Sequence, residues 1–438
     1  MKLILKFFIN LLARAYIVRY NPMIIAITGN VGKTSTKEAI SAVLEEYSPN
    51  KSDKKVNFRV SGGNLNNELG VPLTILGDWT DTYYSSGGNL LFWAHVLLQG
   101  FICFFVYPNY PEVLVLEYGA DHPGDIKYLA SRFRPHIAVV TAIGKIPVHV
   151  EFFSSPEAVG KEKSELVKAL RKNGTAVLNY DDPIVREMKP SAEAKTITYG
   201  FNEFADISLS SVETKIENDK PTGVTFKLLR GTNFLPVKIK GSLGASQAFA
   251  SGVATAVGLG LGMNLVDISR ALSENYKGPA GRMRILSGIK KTTIIDDTYN
   301  ASPASMEMAL QTINGIPAGR KIAVLGDMLE LGEYTPEAHQ SIGNISANIV
   351  DILICVGSRS KFIAESAMDS GLNKSNVLTF DTSEEAKLAV QNLIEPGDLI
   401  LIKGSQSMRM EKIVEDIMLE PELKKSLLVR QSNRWLKK

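Results

Sequence analysis

The chain has 438 residues, with 49 Lys and Arg against 46 Asp and Glu and a formal net charge of +3. That length suits two or three domains of about 100–200 residues each. With 45% hydrophobic and 22% charged residues, the composition excludes a disordered chain, a fibrous repeat and a small disulfide-stapled scaffold, and the near balance of charge gives no general reason to expect nucleic acid as a partner.

Residues 1–21 open the chain with Lys2, Lys6, Arg14 and Arg19, no acidic residue, and many large apolar side chains. Lys6 interrupts the apolar stretch that a signal peptide needs, and a span needs about 20 apolar residues without internal charge. A basic amphipathic helix is expected instead, either docked on the body of the protein or lying on the inner membrane surface. Residues 23–28 (MIIAIT) read as a strand, followed by a helix from Lys33 to about Tyr47. Further strand-like runs are 113–117, 137–141, 175–179, 293–296, 321–326, 351–356 and 398–402, with helical stretches such as 156–172, 303–314, 335–350 and 383–394 between them. This alternation predicts parallel, doubly wound α/β sheets. Alternating runs within 196–240 predict a small antiparallel β insert, and YKGPAGRMR (276–284) predicts a linker. The expected domains are therefore 22–276, a central α/β domain that opens on the strand–turn–helix at 23–47, and 279–438, a Rossmann-like α/β domain. Cys103 and Cys355 sit far apart in apolar runs and read as buried free thiols of a reducing compartment; no two of the five histidines have zinc-ligand spacing.

ITGNVGKTSTKEAI is the most informative stretch. The strand ends at Thr28, Gly29 and Gly32 permit a tight turn across Asn30 and Val31, and Lys33-Thr34-Ser35 opens the helix. Backbone N–H groups and the helix N-terminus can cradle phosphates there, with Lys33 on the β/γ oxygens and the Thr34 hydroxyl toward Mg²⁺. Ile27 occupies the position of the first glycine in the general pattern.

TGNVGKTSTKE resembles the TGxxGKT[ST] phosphate loop of the Mur ligases, ATP-dependent amide-forming enzymes of peptidoglycan synthesis. Six later stretches resemble the same family in order: GNLNNELGVPLTIL (63–76), LEYGADHPGDI (116–126), HVEFFSSPEAVGKEKSEL (149–166), IDDTYNASPASMEMAL (295–310), VLGDMLELGE (324–333) and LIKGSQSMRMEKIV (401–414). DDTYNASP with GDMLELG resembles the branch that adds D-alanyl-D-alanine to UDP-N-acetylmuramoyl-tripeptide. The resemblance implies an acyl phosphate formed from ATP and attacked by the amine, with ADP and phosphate released. It implies catalytic roles for Lys33, Lys163, His149 and Glu117, and two Mg²⁺ ions held by Thr34, Glu117, His149 and Lys163. Lys163 would be carbamylated, which turns a cation into an oxygen ligand suited to Mg²⁺; Lys161 is the alternative if the register slips by two. The resemblance further implies that Thr28 to Ser35, Arg282, Asp297, Tyr299 and Asn300 bind ATP. Asn64, Asn66, Asn67, Asp327, Lys403 and Ser405 would meet the muramoyl-peptide and D-Ala-D-Ala. Asp296 and Asp297 have the alternative of capping the loop after strand 293–296.

Three departures bear on these expectations. About 22 residues precede the first strand, so the family's N-terminal UDP-gripping domain is expected to be lacking. In GASQAFASG (244–252), Ser246 and Ala250 replace the His and Asn expected on the adenine side, and Phe153 replaces a common Gly. An insertion at 78–111 contains the uncharged run 89–107. As a helix this run reaches about 28 Å, near the roughly 30 Å of a bilayer core. Lys33 and Glu117 must share a compartment, however, so a single crossing between them is rejected. Peripheral membrane contact through 1–20 and 89–107 is expected, in a cytoplasmic, monomeric enzyme at the inner face of the membrane. The competing readings are a related ligase for another amino acid or polymer, and a non-catalytic ATP-binding subunit tethered at the membrane.

Overall fold

The computed structural model describes residues 2–49, 54–106, 109–147, 150–188 and 194–436. The first half comprises α1 (Lys2–Tyr20), β1 (Met23–Thr28), α2 (Lys33–Leu44), β2 (Phe58–Val60), α3 (Gly70–Leu76), α4 (Thr80–Ser86), α5 (Leu90–Val106), β3 (Val113–Glu117), α6 (Asp125–Arg132), β4 (Ile137–Val140), α7 (Pro156–Lys168) and β5 (Thr175–Asn179). It continues through α8 (Pro183–Arg186), β6 (Lys195–Gly200), β7 (Ile207–Glu217), β8 (Lys220–Arg230), β9 (Asn233–Lys240), α9 (Ala245–Gly260) and α10 (Leu265–Asn275). Among the described residues its strands form one nine-stranded sheet in the order β2-β3-β1-β4-β5-β6-β7-β8-β9.

Strand β1 pairs in parallel with β3 on one side and β4 on the other, so the strand order reverses there. In such sheets the crevice at the carboxyl ends beside the reversal receives the ligand. The apolar runs of β1 and β3 are buried on both faces, as a parallel sheet demands. Ile24, Ala26, Leu114 and Leu116 face one core cluster, while Ile25, Ile27, Val113 and Val115 face the other, following the two-residue alternation of a strand. Ile40 and Val43 of α2 and Val253 and Val257 of α9 cover the second face. Ile9 and Tyr16 of α1, Val96 of α5 and Leu166 of α7 cover the first.

The antiparallel insert does not stand apart. β6 pairs in parallel with β5 and with β7, and only β7, β8 and β9 run antiparallel, so these strands extend the central sheet. Tyr199, Ile207 and Phe226 bury in the same cluster as β1, which is the physical reason for the continuity. Helix α2 stops at Leu44, short of Tyr47. The apolar run 89–107 becomes α5, whose Phe92, Trp93, Val96 and Gly100 face inward. Among the described residues no helix is long and apolar enough to cross a membrane.

The second half holds β10 (Arg284–Ser287), β11 (Thr293–Asp297), α11 (Pro303–Asn314), β12 (Lys321–Gly326), α12 (Thr335–Ala347), β13 (Ile352–Val356), α13 (Lys361–Asp369), β14 (Val377–Phe380), α14 (Ser383–Leu393), β15 (Leu399–Lys403) and α15 (Glu411–Ile417). Its sheet has the order β10-β11-β15-β12-β13-β14, parallel except at β10. Cys355 is buried in β13, Cys103 is half-buried in α5, and both are free.

Candidate active site

The carboxyl ends of β1 and β3 and the start of β11's following loop converge on one cleft of about 460 Å³. Gly29 (φ 140°) and Gly32 (φ 88°) make the turn after β1. A Cβ on Gly29 would run into the Thr141 side chain, so only glycine allows this close approach. Asn30 and Val31 donate their N–H groups to Ala142 O at 2.7 and 3.2 Å, which pins the loop to the end of β4. Lys33, the first residue of α2, folds back and donates to Gly29 O at 2.7 Å. Burial lowers the pKa of Lys33 below the ordinary lysine value, against the pull of Glu117.

Glu117 closes β3 and is 4% exposed. Its Oε1 accepts from Asn66 Nδ2 at 3.3 Å, and Lys37 Nζ stands 3.7 Å from Oε2. Oε2 has no hydrogen-bond partner, although it is buried. The Lys37 ammonium offsets part of the cost of burying that oxygen, and a metal ion or a hydrogen-bond donor in the cleft would complete it. With Thr34 lining the same cleft, the donor set of carboxylate and hydroxyl oxygen fits Mg²⁺. Among the described residues no group of three or more His, Cys, Asp or Glu gathers for a metal. The His149 expectation lies outside the described residues. Lys163 lies on α7, 2% exposed. Burial, and then the charge of Lys33, bring its pKa down to about 7.

The C-terminal half supplies the other wall. Tyr299 donates to Asn64 Oδ1 at 2.5 Å, and the Arg282 guanidinium lies 4.3 Å from the Tyr299 ring. Arg282, Tyr299, Asn300 and Ser405 line the cleft together with Asn30, Lys33, Thr34, Asn64, Asn66, Asn67 and Glu117. Other expected residues are placed elsewhere. Ser35 and Asp297 line a smaller cavity beyond Gly32, together with Lys403. Lys403 is fully buried, paired with Asp297 at 2.7 Å and donating to Asn300 O at 2.9 Å, so it shapes the loop under the cleft. Asp327 Oδ1 accepts from the N–H groups of Arg359 and Ser360, which ties the carboxylate to the loop before α13, outside the cleft lining. Asp296 caps its own loop, accepting from Thr298 N and Oγ1.

Sequence reasoning missed Lys37, Asp121, Glu330, Gln406 and Trp435. Lys37 lies four residues after Lys33 on the same helix face, a spacing that could have found it. Trp435 reaches the cleft because Arg430 anchors the tail, donating to Glu411 Oε2 and to Tyr299 O. No local pattern carries that placement.

Residues 101–251 match the Mur ligase middle domain and residues 281–406 the glutamate ligase domain of Mur ligases. The UDP-N-acetylmuramoyl-tripeptide–D-alanyl-D-alanine ligase of Bacillus subtilis is 31% identical over 413 residues, covering 94% of this chain and 79% of that protein. The chain belongs to the Mur ligase family. The Escherichia coli ligase of the same description is 29% identical over 399 residues, covering 89% of this chain and 76% of the relative. Among solved structures, the MurF ligase of Thermotoga maritima in complex with ADP superposes with a TM-score of 0.74 at 26% identity, covering 95% of this chain and 84% of that one. The Mur ligase fold thus accounts for both sheets and for the cleft between them.

Proposed function

We propose that the protein is an ATP-dependent ligase that joins D-alanyl-D-alanine to UDP-N-acetylmuramoyl-tripeptide, a step of peptidoglycan precursor synthesis that serves cell shape and division. One observation carries this reading: the phosphate loop, the buried Glu117 carboxylate, one of whose oxygens lacks a hydrogen bond, and Arg282, Tyr299 and Asn300 of the chain's second half face a single cleft. The terminal phosphoryl group of ATP passes to a peptide carboxylate oxygen as the β–γ P–O bond breaks. The amine of D-Ala-D-Ala then attacks the carbonyl carbon, phosphate leaves with that oxygen, and the amine proton is lost to solvent or a base.

Positioning and charge neutralisation do most of the work in such a transfer. Lys33 would leave Gly29 O for the β/γ oxygens. Glu117 and Thr34 would hold Mg²⁺, which neutralises charge on the phosphates when bound. Lys163, near neutrality because it is buried, is chemically ready to add CO₂; its carbamate and His149 would complete a second ion site. Asn64, Asn66 and Asn67 would orient the peptide, and Arg282 and Tyr299 would meet the nucleotide as the domains close. The adenine would enter the apolar cavity lined by Val31, Asn179, Tyr199, Phe249 and Met308. All these groups come from one chain, so a monomer suffices, and the two free thiols fit the cytoplasm.

Phosphate release from ATP, measured with the UDP-linked tripeptide and with or without D-Ala-D-Ala, tests this reading when the product is weighed by mass spectrometry. Release that needs both substrates, with pentapeptide formed, is expected. ATP binding with no release under either condition would overturn it.

A further inference from the structure

Helices α1 and α5 carry most of the large apolar side chains that the central domain leaves uncovered. On α1, Leu3, Phe7, Leu11 and Val18 are 54–82% exposed and recur at helical spacing on the outward face. On α5, Leu98, Phe101 and Phe105 are 58–63% exposed. The inward faces are both packed: Ile9, Ala13 and Tyr16 of α1 and Trp93 and Val96 of α5 belong to one core cluster. The two helices are also joined to each other. Tyr16 donates to Gly100 O at 2.6 Å and Tyr20 to Phe104 O at 2.9 Å. A Cβ at Gly100 would press on Leu12, so that glycine lets the helices touch. The outward stripes therefore lie side by side on a rigid platform, unlike the scattered single apolar residues of an ordinary surface.

The two helices carry charges of one sign, and the acids Glu68, Asp121 and Asp125 line the cavity beside Lys6. The sequence of α1 contains Lys2, Lys6, Arg14 and Arg19 and no acid, and α5 contains no charged residue. Lys6 and Arg132 sit over the same Tyr128 ring, and Arg19 over Phe104, at the edge of the apolar stripe. A second copy of the chain docked here would meet the same cations with no acid on either helix to pair them. An anionic lipid surface complements both the charge and the apolar stripe. Because no described helix is long and apolar enough to cross a membrane, the pair would lie flat, its apolar side chains reaching the boundary between headgroups and acyl chains.

We propose that the outward face of α1 and α5 docks the protein on membranes bearing anionic lipids. A separate cavity, of about 400 Å³, runs from Asn66 and Asp121 at the cleft to Lys6 and Tyr128 beside α1. Docking on this face accordingly holds the ligase cleft next to the lipid surface, whichever amine the cleft accepts.

Co-sedimentation of the full chain with vesicles tests this, using phosphatidylcholine alone and phosphatidylcholine mixed with phosphatidylglycerol. The protein is expected to sediment with the mixed vesicles and to be released by high salt. Arg14→Glu should weaken that partition by at least about fivefold, since each basic residue at an anionic surface contributes on the order of a factor of five. The double variant Phe7→Glu/Phe101→Glu should abolish it. Both changes are on exposed side chains away from the cleft, so phosphate release with soluble substrates should be kept, which separates this test from that of the proposed activity. Wild-type protein left in the supernatant with both vesicle types would overturn the proposal. So would variants that sediment like the wild type, or a wild-type dimer that the double variant dissociates while neither binds vesicles.

Discussion

The Tyr299 hydroxyl of the C-terminal domain donates a hydrogen bond to Asn64 Oδ1 of the central domain at 2.5 Å, across the mouth of the cleft. Burial raises the phenol's pKa, so the group stays a donor throughout the working pH range. The bond ties the loop after β11 to the asparagine loop between β2 and α3. Tyr299→Phe removes it while keeping the ring under Arg282. A bond of this kind contributes about 0.5–1.5 kcal/mol, so the KM for ATP is expected to rise roughly two- to twelvefold with a smaller change in kcat. An unchanged KM in phosphate-release assays would show that the bond does not hold the closed arrangement.

Lys163 is the residue whose chemistry depends most on its surroundings. A lysine with a pKa of about 7 is half neutral at neutral pH, and only the neutral amine can add CO₂. Lys163→Ala should abolish ligation, and a short carboxylate such as acetate should restore part of it by occupying the vacated space. A ¹³C-bicarbonate NMR spectrum should show a carbamate resonance in the wild type and none in the variant. Full activity of Lys163→Ala would sink the carbamate assignment.

The phosphate loop was legible because its determinants are local: two glycines at positive φ, a lysine at the helix start, and an apolar strand before them. Glu117 was legible only through the resemblance, since a carboxylate that closes a strand is as often a plain surface group. Lys403 was harder. Its partner Asp297 is far away in sequence and meets it only because β11 and β15 pair in register, placing the two residues side by side. Composition around Lys403 resembles any strand-end turn, so nothing local separates a buried ion pair from a substrate contact. Asp327 is hidden in the same way, since its role as a cap depends on β13 lying next to β12. The position of Trp435 rests on Arg430 reaching Glu411 and the loop after β11, a tertiary arrangement with no sequence period behind it.

The Lys403–Asp297 pair makes its own prediction. Both side chains are almost fully buried and 2.7 Å apart, and burial lowers the lysine's pKa. Lys403→Met leaves Asp297 as an unpaired buried charge and should cost about 3–5 kcal/mol in urea denaturation. Adding Asp297→Asn to that variant removes the stranded charge and should recover much of the loss. Additive losses in the double variant would mean that the two groups do not interact as the geometry indicates.

Asp296 lies next to that pair but titrates in the opposite sense. Burial is the main cause that raises its pKa from the usual 3.8 to about 6, while the Thr298 hydrogen bonds pull the other way. The folded protein therefore keeps the proton at pH values where the unfolded chain has already lost it. Below about pH 4 both states are protonated and the group's contribution to stability is fully present. Between pH 4 and 6 the unfolded chain ionises first, so stability is lost as pH rises through the folded pKa. Above pH 6 the loss is constant, at about 3 kcal/mol for a shift of this size. Asp296→Asn keeps the oxygen that accepts from Thr298 and cannot ionise. Its urea midpoint should lie close to the wild type at pH 4 and move above it by pH 7, with the gap in unfolding free energy widening by about 1–3 kcal/mol. Parallel wild-type and variant curves across that range would show that the Asp296 carboxyl is ionised in the folded protein at little cost.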